Sequence, residues 1–309
     1  MFYDLIIIGG GPAAVAAGVY AARKKIKTTT VAFDFGGQSI VSSDIQNWIG
    51  TKSISGEKLA ADLKDHLESY RSADFVIKEG VKAETVTPSG ANFKIRTDDQ
   101  QEIEARTVLI ATGAHRRKLT VPGATEFEQK GITYCATCDG PLFAGKDVIV
   151  IGGGNAAFET ALQLLAYAQS VTLIHRSETY RADELTVERV LAHPKFKAIT
   201  NAETQEIKGD KFVTSLVYKN VVTGEVKEIA TGGIFVEIGL VPSTEMVKDL
   251  VDVNQYGAIV VDTKTQKTSH VGIWAAGDCA DGLYHQNNIA VGDAIKALED
   301  IYLFLHLTN

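Results

Sequence analysis

Runs of apolar residues that end in glycine dominate the hydrophobic pattern of this chain. Asp4–Gly11 is such a run, and Thr107–Gly113 and Val148–Gly154 have the same character. Strands that are apolar on both faces are typical of parallel sheets covered by helices. The alanine-rich segment Pro12–Lys25 follows the first run and is predicted to be a helix. The pattern therefore favours an α/β fold.

Shorter periodic segments complete the prediction. Leu59, Leu63 and Leu67 recur at a spacing of four residues, which predicts an amphipathic helix over Glu57–Tyr70. Thr97–Gln101 is polar and is predicted to be the turn of an antiparallel hairpin. Further predicted strands are Thr28–Phe33, Phe75–Ile77, Phe93–Arg96, Val171–Arg176, Ala258–Asp262 and Ile273–Asp278, and Ala290–Leu307 is the last predicted helix. The charged run His115–Lys118 is interpreted as a solvated segment at a domain junction.

Length and charge narrow the class of protein. A chain of 309 residues is long enough for two domains. Its net charge of -7 argues against a nucleic-acid-binding protein, which would carry a basic patch. The first residues have no basic leader segment, and no run approaches the ~20 apolar residues of a membrane span. We therefore expect a cytoplasmic protein that binds neither nucleic acid nor membrane.

Two glycine patterns add candidate chemistry. Gly9-x-Gly11-x-x-Ala14 and Gly152-x-Gly154-x-x-Ala157 each follow an apolar strand and precede a predicted helix. In such a motif the first glycine makes the tight turn, and the second lets a pyrophosphate approach the backbone. The residue in the third position allows the helix to pack closely on the strand. Two of these motifs in one chain predict two dinucleotide sites.

The residues at the ends of the second strands bear on which dinucleotide binds. Asp34 could bond a ribose hydroxyl, but a solvated loop carboxylate would look the same. In the second unit the corresponding segment contains His175 and Arg176, followed by Arg181. Arginine suits the 2′-phosphate of NADPH, although each arginine alone could be a surface charge.

The chain has three cysteines, and two of them form the motif Cys135-Ala136-Thr137-Cys138. Such a pair is redox-active or binds metal. A structural zinc ion needs four ligands, and only Cys279 and scattered histidines remain, so we expect no metal site. Since the pair directly precedes the second glycine motif, we predict electron flow from nicotinamide to flavin to a disulfide.

On these motifs the chain resembles the low-molecular-weight thioredoxin reductases and, as closely, the flavoprotein subunit of alkyl hydroperoxide reductase. Further segments that carry the resemblance are Gly36-Gly37-Gln38, Ala111-Thr112-Gly113 and Ala276-Gly277-Asp278. The resemblance implies two Rossmann-like domains, the second inserted in the first. An FAD domain would comprise residues 1–116 and 243–309, and an NAD(P)H domain with the cysteine pair residues 117–242. It also implies a homodimer whose domains rotate, and FAD and NADPH as cofactors, with NADH possible. The hydroperoxide-reductase subunit has an additional N-terminal domain, which we expect this chain to lack.

The family's functional residues can be placed on matching positions of this sequence. The resemblance implies that Cys138 exchanges electrons with the flavin and that Cys135 attacks the disulfide of a thioredoxin-like partner. Asp139 is the expected acid–base group, although it could instead be a turn carboxylate. The expected cofactor-binding residues are Gly9, Gly11, Pro12, Ala13, Ala14, Asp34, Gly37, Gln38, Asn47, Ala111, Thr112, Gly113, Gly152, Gly154, Asn155, Ala156, Ala157, Glu159, His175, Arg176, Arg181, Gly277, Asp278, His285, Gln286 and Asn287.

The chain departs from the family at two places. Ser177 replaces the second arginine of the His-Arg-Arg pattern of thioredoxin reductases, which weakens the expected preference for NADPH. The segment His285-Gln286-Asn287 stands where Arg-Gln-Ala or Lys-Gln-Ile is common. We predict an NADPH-dependent disulfide reductase for a thioredoxin-like protein. The alternatives are a reductase that feeds a peroxiredoxin through a separate carrier, and a flavoprotein with another electron donor. A non-catalytic FAD-binding redox sensor is a further alternative, but it would not need the second glycine motif.

Overall fold

The computed structural model describes residues 2–42 and 45–307. The strands are β1 Phe2–Ile8, β2 Thr28–Ala32, β3 Phe75–Glu79, β4 Ala83–Ser89, β5 Asn92–Thr97, β6 Glu102–Ile110, β7 Ala114–Arg116, β8 Ile132–Thr133, β9 Asp147–Ile151, β10 Ser170–Ile174, β11 Phe196–Ile199, β12 Ala202–Gly209, β13 Val213–Asn220, β14 Val226–Ala230, β15 Gly233–Val236, β16 Leu240–Pro242 and β17 Ile273–Ala275. The helices are α1 Pro12–Arg23, α2 Gly56–Glu68, α3 Ala136–Asp139, α4 Asn155–Leu164, α5 Glu184–Leu191 and α6 Asn287–Leu307. Short 3₁₀ helices cover Gly37–Val41 and Gly140–Phe143.

The chain forms two units. The split unit consists of residues 1–115 and 241–309, and the inserted unit consists of residues 116–240. Both contain parallel sheets with helices, so the predicted α/β class with two Rossmann-like domains is confirmed. No helix in the described ranges is both long and apolar enough to cross a membrane.

The split unit is organised around a sheet with strand order β3-β2-β1-β6-β5-β4. β1 lies parallel to β2 on one side and to β6 on the other. The first half of β6 pairs with β5 in the predicted hairpin, while its last three residues pair with β17. The strand order reverses at β1, because β2 and β3 lie on one side of it and β6 on the other. Ligands of open α/β sheets bind at the carboxyl ends of the strands at such a point.

The core of the split unit lies on both faces of this sheet. Helices α1 and α6 cover one face, where the small residues Ala14, Ala294 and Ala297 are fully buried and allow close packing. Ile6, Ile110 and Ile273 form part of the core on the other face. Burial on both faces explains why Leu5–Ile8 of β1 and Val108–Ile110 of β6 are apolar runs.

The inserted unit contains a parallel sheet of order β11-β10-β9-β15-β8 and an antiparallel sheet of order β12-β13-β14. The reversal point is β9, with β10 on one side and β15 on the other. Phe158 and Leu164 of α4 are completely buried on one face. The antiparallel sheet contributes Leu216 and Ile207 to the core on the other face.

Two segments differ from the sequence-based prediction. Ala258–Asp262 is not a strand, because Ile259 makes only isolated bridges to Val253 and Ala280, which themselves lie outside regular strands. The last helix begins at Asn287, three residues before the predicted start, so Asn287 belongs to its first turn.

Candidate active site

The first glycine motif forms a turn between β1 and α1 in the split unit. Gly9 has a φ of 134°, and a side chain there would overlap the carbonyl oxygen of Ala111. Gly11 precedes α1, and the nearest atom to a Cβ at this position would be the Cα of Gly37, at 3.9 Å. Pro12 begins the helix. Because the N-cap residue Gly11 has no side chain, no side chain caps the amides of the first turn. This backbone leaves space in front of a helix N-terminus, where a pyrophosphate fits.

The remaining residues of that motif pack the turn together. Ala13 and Ala14 are buried in the first turn of α1. Gly277, after β17, has a φ of 76°, and a Cβ there would lie 3.3 Å from that of Ala13. Asp34 follows β2 and is exposed. Its neighbourhood is tight, since a side chain on Gly10 would overlap the carbonyl oxygen of Asp34.

A network of polar side chains joins the segment after β2 to the segment before α6. Gln38 Nε2 donates to Asp278 Oδ2 at 3.2 Å. His285 Nδ1 lies 3.4 Å from Asp278 Oδ1, so Asp278 contacts both segments. Asn47 Nδ2 donates to Gln286 Oε1 at 3.1 Å.

Asn287 and Asn288 extend the same network. Ser39 Oγ and Asn287 Oδ1 are 3.0 Å apart, and Asn288 Nδ2 donates to the carbonyl oxygen of Asn47 at 2.8 Å. Sequence reasoning did not single out Ser39 or Asn288 as site residues. The structure thus brings Gln38 and Asn47 together with Asp278 and the His285–Asn287 segment. The two groups are more than two hundred positions apart in the chain.

The segment Ala111–Gly113 continues from β6 beside the first glycine turn. Ala111 N–H donates to the carbonyl oxygen of Ile8 at 2.8 Å, which holds it next to the end of β1. Thr112 Oγ1 donates to the carbonyl oxygen of Ser243 at 2.6 Å. Gly113 has a φ of 66°, a left-handed conformation that favours glycine. These residues shape the same edge of the sheet as Gly9.

The second glycine motif forms the equivalent turn in the inserted unit. Gly152 has a φ of 153°, and a side chain there would overlap the carbonyl oxygen of Glu237. Gly154 has no atom within 4 Å of a Cβ position, and α4 begins directly after it at Asn155. Ala157 is fully buried against the sheet, while Ala156 and Glu159 are exposed. The open space at Gly154 fits a second pyrophosphate.

His175 and Arg181, which follow the neighbouring strand β10, contact this turn. A side chain on Gly153 would overlap the His175 ring, and Arg181 N–H donates to the carbonyl oxygen of Gly153 at 2.8 Å. Burial lowers the pKa of His175, and the charges of both arginines act in the same direction. Arg176 and Arg181 are exposed, and the backbone of Arg181 pairs with the turn at Gly154. The arrangement provides positive charge beside a dinucleotide site.

The cysteine pair lies between β8 and β9 in the same unit. Cys135 and Cys138 form a disulfide with a Cα–Cα distance of 5.3 Å. Cys135 precedes the short helix α3, and its Sγ accepts a hydrogen bond from the Cys138 backbone N–H at 3.1 Å. Both residues are partly exposed. A hydrogen bond to sulfur favours the thiolate form, so the geometry suits Cys135 as a nucleophile after reduction.

Asp139 directly follows the pair, in the last position of α3. Burial raises the pKa of its carboxyl group, and a hydrogen bond from Thr133 opposes that rise. Thr133 belongs to β8 and donates from Oγ1 to Asp139 Oδ2. A carboxyl group with a raised pKa can hold a proton closer to neutral pH than an exposed one. Sequence reasoning missed Thr133, because a threonine in a short strand carries no signal of this contact.

Cys279, the third cysteine, belongs to the split unit. It is completely buried there, and its Sγ donates to the carbonyl oxygens of Ile110 and Ala276. Burial raises the pKa of its thiol.

The two glycine turns and the Cys135–Cys138 disulfide are the features expected of a flavin- and nicotinamide-dependent disulfide oxidoreductase. The family model described as pyridine nucleotide-disulphide oxidoreductase matches residues 3–294, and the chain belongs to this family. A thioredoxin reductase from Streptococcus pyogenes MGAS5005 is 36% identical, with a TM-score of 0.88 and 99% coverage of both chains. A thioredoxin reductase from Giardia duodenalis is 32% identical, with a TM-score of 0.89 and the same coverage. The predicted resemblance is therefore confirmed.

Two longer curated proteins are also similar. An alkyl hydroperoxide reductase subunit of Escherichia coli K12 is 40% identical over 99% of this chain and 59% of its own length. A protein named NADH dehydrogenase from Bacillus subtilis 168 is 40% identical over 96% of this chain and 57% of its own length. The chain thus spans between half and two thirds of these relatives.

Proposed function

We propose that the protein is an FAD-dependent NAD(P)H:disulfide oxidoreductase that reduces a thioredoxin-like protein. The observation that carries this proposal is the Cys135–Cys138 disulfide beside the half-buried Asp139 carboxyl group. The same unit contains the open glycine turn at Gly154. A disulfide that served only to stabilise the fold would not need a neighbouring carboxyl group with a raised pKa.

FAD is proposed to bind at the Gly9–Ala14 turn, and a nicotinamide dinucleotide at the Gly152–Ala157 turn. Asp278 and Gln38 would contribute polar groups to the FAD site, since they are hydrogen-bonded to each other at that edge of the split unit. When bound, the two cofactors supply the electron pair that reduces the disulfide.

The reduced cysteines would transfer this electron pair by thiol–disulfide exchange. The Cys135 thiolate attacks one sulfur of the partner disulfide, forming a mixed disulfide and releasing one partner thiolate. Cys138 then attacks Cys135 Sγ, which restores the internal disulfide and releases the second partner thiolate. Asp139 is proposed to hold the proton taken from Cys138 and to return it during the next reduction. Thr133 orients its carboxyl group.

NADPH is the proposed electron donor, with NADH as the competing candidate. Arg176 and Arg181 support NADPH, because a 2′-phosphate needs positive charge. Arg181 pairs with the Gly153–Gly154 turn, and Arg176 directly follows His175, whose ring lies against Gly153. Ser177 and the relative named NADH dehydrogenase support NADH. The competition between the two nucleotides in steady-state turnover tests this choice.

A second candidate function is the supply of electrons to a peroxide-reducing system through a separate thioredoxin-like carrier. It is favoured by the 40% identity to the alkyl hydroperoxide reductase subunit of Escherichia coli K12 across almost the whole chain. The same cysteine chemistry would serve both functions, so side-by-side assays with a thioredoxin and with such a carrier separate them. A homodimer and a cytoplasmic location are also proposed, on the family resemblance and the small number of cysteines.

The test of the proposed function is NADPH-dependent reduction of a thioredoxin disulfide by the wild type, Cys138→Ser and Cys279→Ser. The proposal predicts that Cys138→Ser abolishes turnover and that Cys279→Ser retains it, because Cys279 is buried in the core of the split unit and has no part in the disulfide. Normal turnover by Cys138→Ser would refute the proposal.

A further inference from the structure

Glu237 is a buried carboxyl group that the proposed reaction does not use. It directly follows β15, and its side chain is only 3% exposed. In the sequence it lies in the apolar run Gly-Ile-Phe-Val-Glu-Ile-Gly, residues 233–239. Carboxylates are rarely buried unless paired, so its contacts require an explanation.

The side chain of Glu237 contacts two different elements. Its Oε1 accepts a hydrogen bond from Thr160 Oγ1 of α4 at 2.9 Å. Its Oε2 accepts one from Arg116 Nη1, also at 2.9 Å. The solvated charge run predicted at His115–Lys118 is therefore wrong at Arg116, whose guanidinium group pairs with a buried carboxylate.

The backbone of Glu237 contacts the other side of the glycine turn. Its N–H donates to the carbonyl oxygen of Ile151 at 2.8 Å. Its own carbonyl oxygen occupies the space where a side chain on Gly152 would lie. One residue thus contacts the end of β9 before the turn and, through Thr160, the helix after it.

We propose that Glu237 is a positioning residue for the dinucleotide turn of the inserted unit, and that its protonation state changes the affinity of this turn for the nicotinamide dinucleotide. The geometry supports the first part, since Glu237 joins the strand and the helix that hold Gly152–Asn155. This inference rests on the proposed function, in which that turn binds NAD(P)H.

The charges around Glu237 determine the direction of the effect. Burial raises the pKa of Glu237 to about 7, although Arg116 and Thr160 favour the ionised form, and Glu159 of α4 acts against it. Below that pH the carboxyl group is neutral, and the positive charge of Arg116 is no longer compensated. The dinucleotide carries a negatively charged pyrophosphate. We therefore expect tighter binding as the pH falls through about 7.

His175 also lies beside the turn and titrates. Its pKa is lowered by burial and by the two arginines. The 2′-phosphate of NADP⁺ titrates in a similar range to Glu237. The titrations of His175 and of the 2′-phosphate occur in the wild type and in Glu237 variants alike. The difference between the pH profiles of these proteins therefore reports the contribution of Glu237.

The experiment is calorimetric titration of the oxidised, FAD-loaded protein with NADP⁺ and, separately, with NAD⁺ between about pH 6 and about pH 8.5. Glu237→Gln keeps an acceptor for Thr160 but cannot ionise. The wild type is expected to lose about fivefold more affinity than Glu237→Gln over this range, as a charge acting over roughly 10 Å would produce. Parallel profiles for the two proteins would overturn the proposed effect of protonation.

Thr160→Val tests the positioning role separately. It removes the hydrogen bond on the α4 side and leaves the ion pair with Arg116. We expect weaker dinucleotide binding at both ends of the pH range, with the pH dependence shifted to higher pH because the Thr160 hydrogen bond lowers the pKa of Glu237. Unchanged affinity would overturn the positioning role. FAD content and far-UV circular dichroism check that each variant is folded. A wild type that binds neither dinucleotide would refute the proposed nicotinamide site itself, and with it this inference.

Discussion

Replacing Gly154 by alanine separates the folding of the inserted unit from its binding of a dinucleotide. Gly154 has φ −100° and ψ −177°, which alanine adopts without strain. No atom lies within 4 Å of the added methyl group. The substitution also reduces the entropy of the unfolded chain, which stabilises a protein by about 0.4–1 kcal/mol at compatible sites. Gly154→Ala should therefore fold at least as well as the wild type.

Dinucleotide binding should respond in the opposite direction. The second glycine of such a motif is the place where the pyrophosphate approaches the backbone, so the methyl group would occupy space that the ligand needs. We expect affinity for NADP⁺ to fall by about 30-fold, which corresponds to about 2 kcal/mol. Calorimetric titration of the FAD-loaded variant measures this loss.

Gly152→Ala is the matched control for this prediction. At a φ of 153° alanine is strained, and its methyl group would overlap the carbonyl oxygen of Glu237. We expect a loss of about 1–3 kcal/mol of unfolding free energy from the backbone conformation alone. Far-UV circular dichroism during urea unfolding is the appropriate measurement, because Trp48 and Trp274 both lie in the split unit and do not report on the inserted one. Wild-type affinity in Gly154→Ala would refute the assignment of this turn as the pyrophosphate site.

Three further predictions concern the cysteine pair and the two cofactor sites. Thr133→Val removes a hydrogen bond that lowers the pKa of Asp139. In single-turnover reduction of a disulfide, the limb of the pH–rate profile that Asp139 governs should therefore move to higher pH. Thr133→Ser should restore the wild-type position of that limb. An unmoved limb would exclude a role for Thr133. Replacing Arg176 and Arg181 by alanine should raise KM for NADPH by about tenfold or more, since a charged hydrogen bond contributes about 1.5–3 kcal/mol. The KM for NADH should change little. Equal effects on both nucleotides would exclude recognition of the 2′-phosphate by these arginines. Gly11→Ala should fold, because only the Cα of Gly37 lies near the added methyl group. Its FAD content, measured by flavin absorbance after denaturation, should be reduced because the methyl group occupies space that the pyrophosphate needs. Wild-type FAD content would contradict this prediction.

The fold was predictable because burial on both faces leaves a direct trace in the sequence. β1 and β9 each end in an apolar run of four residues followed by glycine, and the structure places both strands at the reversal points of their sheets. Ala258–Asp262 has similar apolar character, but its neighbours are irregular segments, so only isolated bridges form. The local hydrophobic pattern of a segment does not show whether a regular strand will lie beside it.

The contacts within the candidate site were less predictable, because they join residues that are distant in the chain. Glu237 meets partners 77 and 121 positions away, and only a carboxylate in an apolar run could have drawn attention to it. Gln38 and Asp278 are 240 positions apart, and the family resemblance, not the spacing, placed both in the FAD site. The Thr133–Asp139 contact spans six positions but depends on the turn between β8 and α3.

The central claim is that electrons from a nicotinamide dinucleotide reach the Cys135–Cys138 disulfide. Its most direct test is an anaerobic titration of the FAD-loaded protein with NADPH and with NADH, combined with alkylation and mass spectrometry of all three cysteines. The account predicts that Cys135 and Cys138 become alkylated together as the dinucleotide is consumed, while Cys279, which is buried in the folded protein, keeps its initial state. Oxidation of the dinucleotide and bleaching of the flavin with the disulfide intact would contradict the account and would indicate another electron acceptor.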